Sequence, residues 1–300
     1  MNDVKISPIF YMGNKKKLIK KGLTDLFPKN IGTFVDVFAG SGIVSMNTKA
    51  NEYFVNDSDT NLNDLYLLFK IKSADSIIEH INKNIDTYGL ARERTKRNEY
   101  HDKEQIEKYK TAYMKLRSHY NEHKDNVYDF YTLMFYSFSQ QFRFNSKGDF
   151  NMPCGNDCFA PKNEEYIRNG CEFFSQPNLR VSMQDFRNIL DVDLYYDKEL
   201  GDMFFYCDPP YLNTTAVYNE NNGWNENDEK DLYKCLDDLD SKGAKWALSS
   251  VKSNKGKTNN LLVDWLGKHS NYNEYSFDGF TYMACGKGNS NAKEILVTNY

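Results

Sequence analysis

The segment from Thr33 to Asp57 constrains the fold more than any other part of the chain. A short β-rich run, Thr33 to Phe38, stops at Ala39-Gly40-Ser41-Gly42. An apolar-spaced segment follows, and then a second β-rich run from Tyr53 to Asn56. A strand, a glycine turn, a helix and a strand in this order predict the opening βαβ unit of a doubly wound α/β sheet.

The rest of the chain predicts a sheet domain interrupted by a helical insert. Apolar runs at 201–207, 246–250 and 294–299 predict further strands. Between the two groups of strands the spacing turns helical, with an apolar stripe at Leu62, Leu65, Tyr66, Leu68 and Phe69. A charged helix or two is expected within 92–124, and the aromatic run Tyr128 to Phe144 predicts a buried helix. We therefore expect a discontinuous catalytic domain, 1–60 and 166–300, and a mostly helical insert, 61–165.

Composition indicates a folded protein without a membrane span. The 300 residues are 40% hydrophobic and 15% aromatic, and no apolar run reaches the roughly 18 residues of a transmembrane helix. The first residues lack the apolar core of a signal peptide, so a cytoplasmic location is expected. Six scattered cysteines without CxxC pairing indicate reduced thiols, and neither they nor the five histidines predict a metal site.

Charge is distributed unevenly along the chain. The formal net charge is −4, yet 91–124 carries more basic than acidic residues. Lys15, Lys16, Lys17, Lys20 and Lys21 form a second basic cluster. Local basic surface is what phosphate contacts require, although a solvated helix face explains the same pattern.

The glycine turn after the first strand predicts a nucleotide-type ligand. Glycines let a ligand approach the backbone closely. Asp57 ends the next strand, where a carboxylate accepts hydrogen bonds from ribose hydroxyls. The absence of a following GK[ST] sequence excludes a Walker A loop. The alternative is a glycine pair that merely ends a strand.

Asp208-Pro209-Pro210-Tyr211 is the more specific motif. It directly follows an apolar strand, and its prolines leave carbonyl oxygens free because they lack N–H donors. The Asp208 carboxylate and the Pro209 carbonyl would accept both hydrogens of an amino group, leaving its lone pair free to attack. Tyr211 would stack on a flat base. The alternative is a proline turn without chemistry.

Together these motifs resemble the N6-adenine DNA methyltransferases related to the bacterial Dam enzyme, alpha group, over nearly the whole chain. The resemblance implies a Rossmann-like methyltransferase sheet, S-adenosylmethionine as cofactor and methyl transfer to adenine. It implies catalytic roles for Asp208, Pro209, Pro210 and Tyr211. The residues it implies for cofactor binding are Tyr11, Gly13, Lys15, Asp36, Phe38, Ala39, Gly40, Ser41, Gly42, Asp57, Asp185 and Asp208.

The insert resembles the same family between Arg143 and Gly155, where members that read GATC carry an RYNxxGxFNxPxG-like stretch. The resemblance implies duplex DNA as partner, recognition of GATC and a DNA-recognition role for 61–165. The sequence departs from the family pattern just upstream, at Ser139 to Phe142. The polar loop from Asn213 to Trp224 is expected to close over the adenine. The DNA-binding residues that the resemblance implies are Arg143, Asn145, Lys147, Asn151 and Pro153.

Two other functions stay open at this point. An N4-cytosine methyltransferase uses the same amine geometry, although that group more often carries Ser where Asp208 stands. A DNA-binding regulator of the same fold that has lost catalysis is the alternative outside enzymes. A monomer would suffice to methylate one adenine at a time, and a cognate restriction endonuclease is a further candidate partner.

Overall fold

The computed structural model describes residues 4–94, 103–196, 200–212, 223–254, 256–280 and 292–300. It divides into two compact units. The first, termed the helical unit, comprises Asp3–Asn14 and Asp64–Pro177; the second, termed the sheet unit, comprises Lys15–Asn63 and Asn178–Tyr300. Within the described ranges, no helix is both long and apolar enough to cross a membrane.

The sheet unit contains an eight-stranded, mostly parallel sheet among its described residues, which confirms the predicted α/β fold class. The strand order is β3-β2-β1-β4-β5-β8-β7, with β6 paired to β5. Strands β1 to β5 run parallel where they pair, whereas β8 is antiparallel to both β5 and β7. The strands are β1 Thr33–Asp36, β2 Glu52–Asn56, β3 Leu179–Ser182, β4 Met203–Cys207, β5 Lys245–Asn254, β6 Lys257–Thr258, β7 Asn273–Phe280 and β8 Ala292–Thr298.

Strands β1, β2, β4, β5 and β8 lie where the apolar runs predict strands. Strands β3, β6 and β7 were not predicted, because they are short or carry polar residues at many positions. Strand β7, for example, reads NEYSFDGF, and a strand with one partner need not be a continuous apolar run.

Helices of the sheet unit pack against the sheet and bury apolar side chains of its strands. Leu232, Leu236 and Trp246 are fully buried in a core shared by helix α9 and strand β5. Helix α9 begins at a capping box in which Asn225 and Asp228 exchange side-chain to backbone hydrogen bonds. The helices of this unit are α1 Lys16–Lys20, α2 Ile43–Met46, α8 Phe186–Ile189, α9 Glu226–Ser241 and α10 Asn260–Leu266, and α3 Thr60–Ile71 begins in this unit and continues into the helical unit.

The helical unit is built from α4 Ala74–Tyr88, α5 Lys103–Glu122, α6 Val127–Tyr136 and α7 Pro161–Phe174. The predicted apolar stripe lies on α3, where all five of its residues are buried. The charged helix expected within 92–124 is α5 in its described part; residues 95–102 lie outside the described residues.

The predicted helix over Tyr128 to Phe144 is wrong in its second half. Helix α6 ends at Tyr136, and Ser137 is extended, with φ −75° and ψ 160°. The Ser137 hydroxyl donates to the carbonyl of Met134, so it stabilises the reversal. Ser139 and Gln140 then both adopt φ 56°, a left-handed conformation unusual for residues other than glycine. The aromatic content predicts burial correctly for α6, whereas Phe138 is 47% exposed and no residue of 138–144 is buried. The backbone reversal prevents a continuous helix.

Candidate active site

The carboxyl ends of β1, β2 and β4 meet at one edge of the sheet unit because these strands are parallel neighbours. Asp36 is in register with Tyr206 across β1 and β4. Asn56, at the end of β2, ties this edge together. Its amide donates to the carbonyls of Val37 and Gln184, each at 3.0 Å, and its oxygen accepts from the Gln184 N–H at 2.9 Å. The loops that carry the predicted motifs therefore start from a braced edge.

The glycine turn lies at this edge in a conformation that favours glycine. Gly40 has φ 53° and Gly42 has φ 71°, and Gly42 precedes helix α2. The Gly40 N–H donates to Oδ2 of Asp57 at 2.8 Å, and the Asp59 N–H donates to its Oδ1 at 3.0 Å. These bonds join the turn to the carboxylate predicted to bind ribose. Phe38, Ala39 and Ser41 belong to the same turn, with Ala39 and Ser41 buried.

The Asp36 carboxylate is buried, and only one of its two oxygens accepts a hydrogen bond from a described residue. Its Oδ2 accepts from the Ser45 hydroxyl at 2.6 Å, whereas its buried Oδ1 has no hydrogen-bond partner among the described residues. Burial raises the pKa of Asp36 to about 7, against the lowering effect of the Ser45 bond, and nearby Asp208 raises it further. Burial likewise raises the pKa of Asp57 to about 6, opposed by the backbone N–H bonds it accepts.

These features fit a ligand that supplies hydroxyl or amine donors. An unpaired buried oxygen is costly unless something donates to it. The residues present at the turn therefore fit the donor-rich ribose and amino acid ends of S-adenosylmethionine. The cofactor-binding roles of Asp36, Asp57 and the turn stay predictions.

An aromatic wall stands beside the turn, formed by Phe38, Phe186 and Trp224. The ring centroids of Phe38 lie 5.5 Å from Phe186 and 5.6 Å from Trp224, and those of Phe186 and Trp224 are 5.3 Å apart. The Trp224 indole N–H donates to Oε2 of the buried Glu229 at 3.2 Å, which orients its ring. Sequence reasoning missed Phe186 as a wall residue. A hydrophobic residue directly after the predicted Asp185 was the available signal.

Asp185 caps helix α8 by accepting from the Arg187 N–H at 2.8 Å. Its carboxylate also forms an ion pair with the Arg187 guanidinium at 3.2 Å, and Arg187 in turn contacts Asp228 and Asp231 of α9. The exposed side of Asp185 leaves room for a ligand, and its predicted contact with the cofactor adenine stays a prediction.

The tetrapeptide predicted to be catalytic, Asp208 to Tyr211, follows β4 and contributes to a buried ionic cluster of Lys15, Asp208, Tyr211 and Glu294. Lys15 Nζ lies 2.5 Å from Asp208 Oδ2 and 3.6 Å from Glu294 Oε1. The Tyr211 hydroxyl lies 2.9 Å from Asp208 Oδ1 and 3.1 Å from Glu294 Oε1. The Lys15 ammonium also stands 5.2 Å from the centroid of the Tyr211 ring.

The ion pairs of this cluster oppose the cost of burial. Burial by itself lowers the pKa of Lys15, but the carboxylates of Asp208 and Glu294 outweigh it and raise that pKa above its ordinary value. Burial raises the pKa of Asp208, and the Lys15 ammonium opposes that rise. The Lys15 ammonium is therefore the main charge that favours the ionised form of Asp208, although burial keeps the pKa of Asp208 above its ordinary value.

Glu294 is the functional candidate that sequence reasoning missed. It lies on β8 and is 2% exposed, between Val251 of β5 and Phe277 of β7 in the strand register. The available signal was an acidic residue inside the apolar terminal run Glu294 to Val297. A charge in such a run is rarely buried without a partner.

Of the predicted DNA-binding residues, Asn145 and Lys147 lie in a hairpin-like loop of the helical unit that is closed by a bridge between Phe144 and Phe150, and the other three flank this bridge. The exposed Arg143 donates from Nε to Oδ1 of Asn151 at 2.8 Å, which braces its guanidinium. Pro153 is exposed, and its carbonyl accepts from the Phe138 N–H at 2.9 Å. The structure thus brings Arg143 and Asn151 together beside this bridge.

Asn145 and Lys147 differ from each other in accessibility. The Asn145 side chain is used inside the loop, because its oxygen accepts from the N–H groups of Lys147 and Asp149, each at 2.9 Å. The Lys147 side chain is exposed. The loop is anchored to the turn that follows α5 by an ion pair between Lys124 and Asp149 at 2.7 Å. DNA contacts by both residues stay predictions.

The amino-terminal motif is split between the two units, with Tyr11 and Gly13 in the helical unit and Lys15 in the sheet unit. The Tyr11 ring packs on Phe142 at 5.7 Å, and Gly13 is exposed with φ 79°. Of the polar loop that is expected to close over the adenine, residues 213–222 lie outside the described residues. In the part of the chain that is described, no group of three or more His, Cys, Asp or Glu residues is arranged to hold a metal ion.

Comparisons with known proteins show the family of the chain. Residues 11–281 match the family model described as D12 class N6 adenine-specific DNA methyltransferase. Modification methylase StsI from Streptococcus sanguinis is 34% identical over 301 residues, covering 98% of this chain and 43% of that protein. Type II methyltransferase M.FokI from Planomicrobium okeanokoites is 35% identical, with the same coverage of 98% and 43%.

The chain thus spans less than half the length of these two relatives. A third relative, Type II methyltransferase M.MjaIII from Methanocaldococcus jannaschii, is 27% identical over 320 residues that cover 99% of this chain and 100% of that protein. The family match extends over the glycine turn, most of the helical unit and the tetrapeptide Asp208 to Tyr211. The chain belongs to the D12 class N6 adenine-specific DNA methyltransferase family.

Proposed function

We propose that this chain transfers a methyl group from S-adenosylmethionine to N6 of adenine in duplex DNA, within GATC. The observation that carries the proposal is the position of Asp208-Pro209-Pro210-Tyr211 at the end of β4, beside the glycine turn at the end of the parallel neighbour β1. That arrangement would bring an amine acceptor and a cofactor turn to one edge of one sheet.

The chain's own residues would bind and orient both reactants. Asp208 and the Pro209 carbonyl would accept the two N6 hydrogens, and Tyr211 would stack on the ring. Asp57 would hold ribose hydroxyls, and the unpaired oxygen of Asp36 would accept a donor of the cofactor. When bound, S-adenosylmethionine supplies an electrophilic methyl group. The reaction forms the N6–methyl bond, breaks the methyl–sulfur bond and releases one amine proton.

Access to a stacked adenine requires that the base be flipped out of the duplex, at a cost of roughly a few kcal/mol. The helical unit, our proposed recognition domain, carries the exposed Arg143, Lys147 and Pro153 for this contact. Arg143 is the proposed guanine reader, since a guanidinium can donate to O6 and N7 together. The words "modification" and "Type II" in the names of the relatives support a cognate restriction endonuclease as a partner.

The test is methyl transfer from radiolabelled S-adenosylmethionine to unmethylated plasmid DNA, with nucleoside analysis and methylation-sensitive digestion at GATC. N6-methyladenine with GATC protected is the expected result. N6-methyladenine elsewhere would overturn the target sequence and keep the chemistry. Tight cofactor binding without any methylated base would overturn the proposal in favour of a DNA-binding regulator.

A further inference from the structure

The Tyr211 hydroxyl has one hydrogen and two carboxylate acceptors within reach. Its oxygen lies 2.9 Å from Asp208 Oδ1 and 3.1 Å from Glu294 Oε1. A phenol donates only one hydrogen bond, so Tyr211 serves either Asp208 or Glu294 at a given moment. Both distances lie in the hydrogen-bonding range, and a rotation of the O–H bond alone changes the acceptor.

Each oxygen of the Asp208 carboxylate already accepts from one donor when it holds the Tyr211 hydrogen, so an arriving donor competes with that partner for the best-aligned lone pair. Its Oδ2 faces the Lys15 ammonium at 2.5 Å, and its Oδ1 faces Tyr211. An adenine amine that enters the site needs one of these oxygens. Lys15 is a charged donor in a buried ion pair, whereas Tyr211 is a neutral donor with a second acceptor beside it. Tyr211 is therefore the partner that Asp208 can exchange at lower cost.

We propose that the Tyr211 hydroxyl is a hydrogen-bond switch, which donates to Asp208 in the empty site and to Glu294 when the target amine occupies Asp208 Oδ1. Glu294 is then a positioning residue that acts through Tyr211. This inference rests on the proposed function, because it requires an amine as the arriving donor. The count of hydrogen bonds is preserved: Asp208 exchanges a phenol donor for an amine donor, and Tyr211 exchanges one carboxylate for another.

The setting of Glu294 suits this role. It is 2% exposed, and its strand β8 is hydrogen-bonded on both sides, to β5 and to β7. Its carboxylate is therefore held in place, 3.6 Å from the Lys15 ammonium. The same ammonium lies 5.2 Å from the centroid of the Tyr211 ring. The ring stays in place for stacking while its hydroxyl hydrogen changes partner.

A double-mutant cycle tests the switch with Tyr211→Phe, Glu294→Gln and the double variant, using kcat/KM for plasmid DNA at saturating S-adenosylmethionine. Glu294→Gln replaces the charged acceptor by a weaker one, so Tyr211 stays on Asp208 and kcat/KM falls about tenfold. In the Tyr211→Phe background no hydrogen needs a second acceptor, and Glu294→Gln is expected to change kcat/KM less than about twofold.

A merely structural role for Glu294, as a partner of Lys15, predicts the same loss in both backgrounds. Equal losses would overturn the switch. Glu274→Gln is the matched control, a glutamate on the neighbouring strand β7 that pairs with Lys252 at 2.8 Å outside the cluster. If Glu294→Gln does not fold, as judged by its melting transition, Glu294→Asp enters the same cycle, since it keeps the charge and withdraws the acceptor from Tyr211.

The wild-type assay separates the two possible failures. Absence of N6-methyladenine from the wild-type protein refutes the proposed function itself. Methylation by the wild type together with equal losses in both backgrounds leaves the function intact and refutes the switch alone.

Discussion

The Lys15 ammonium lies 2.5 Å from Oδ2 of Asp208, with the two side chains only 5% and 15% exposed. A buried carboxylate without such a partner would tend to take up a proton and lose its acceptor capacity. The pair thus joins the start of the sheet unit to the first residue of the tetrapeptide that we propose to be catalytic. Removal of Lys15 would leave the buried carboxylates of Asp208 and Glu294 without the cation that faces both of them.

Asp208→Ala is expected to abolish methyl transfer while S-adenosylmethionine affinity stays within about threefold, since the proposed role of Asp208 is to hold the target amine. Methyl transfer to plasmid DNA and calorimetric cofactor titration measure the two effects. Asp264→Ala, which removes an exposed carboxylate on α10, is the control and should retain full activity. Near-normal turnover of Asp208→Ala would refute the assignment of the acceptor.

The buried Asp36 is expected to make the ligand-free protein less stable as the pH rises. Its pKa is raised from 3.8 to about 7 in the folded state, so between these values the folded protein holds a proton that the unfolded chain has released. The free energy of unfolding therefore falls as pH rises through this window. In the wild type this fall in the free energy of unfolding should be on the order of 2–4 kcal/mol, and it should be absent in Asp36→Asn.

Chemical denaturation at about pH 4.5 and about pH 7.5 checks this expectation, because the two values bracket most of the window that linkage defines. The exposed Asp264→Asn serves as the control with an unchanged pH dependence. If the wild-type protein instead becomes more stable toward neutral pH, and Asp36→Asn removes that gain, the raised pKa assigned to Asp36 is wrong.

Arg143→Ala is expected to relax sequence choice by about 1–3 kcal/mol at one base pair, because a bidentate guanine contact would be lost. Lys147→Ala, by contrast, should weaken binding to all sequences. It should also reduce the slope of log affinity against log salt concentration by about one, because one phosphate contact is lost. Methylation of oligonucleotides with single base-pair changes measures the discrimination. If Arg143→Ala discriminates every base pair as the wild type does, another residue reads the sequence.

Gln140→Gly is expected to raise the free energy of unfolding by about 1 kcal/mol, since glycine adopts a left-handed backbone without the steric cost that a side chain brings. Gln140 has φ 56° in the turn after helix α6. Urea denaturation measures the change, and Gln141→Gly, at an extended residue with φ −98°, should instead destabilise. A loss of stability in Gln140→Gly would show that its side chain stabilises the turn.

The turn chemistry and the strand pattern of this chain were readable from local sequence. The glycine turn after β1, the tetrapeptide after β4 and the helical stripe of α3 each depend on residues close together in the chain, where periodicity and turn residues carry the information. These local signals were sufficient to predict an α/β sheet and a candidate cofactor turn, and the resemblance extended them to a family.

The assembly of Lys15, Asp208, Tyr211 and Glu294 was beyond such reasoning. These residues come from the start, the middle and the end of the chain, and they meet only because β8 inserts antiparallel between β5 and β7. The reversal at Ser137 likewise depends on long-range pairing, since it forms a bridge with Cys154. Local patterns do not encode strand order or the partner of a buried charge, because both are set by which distant segments pack together.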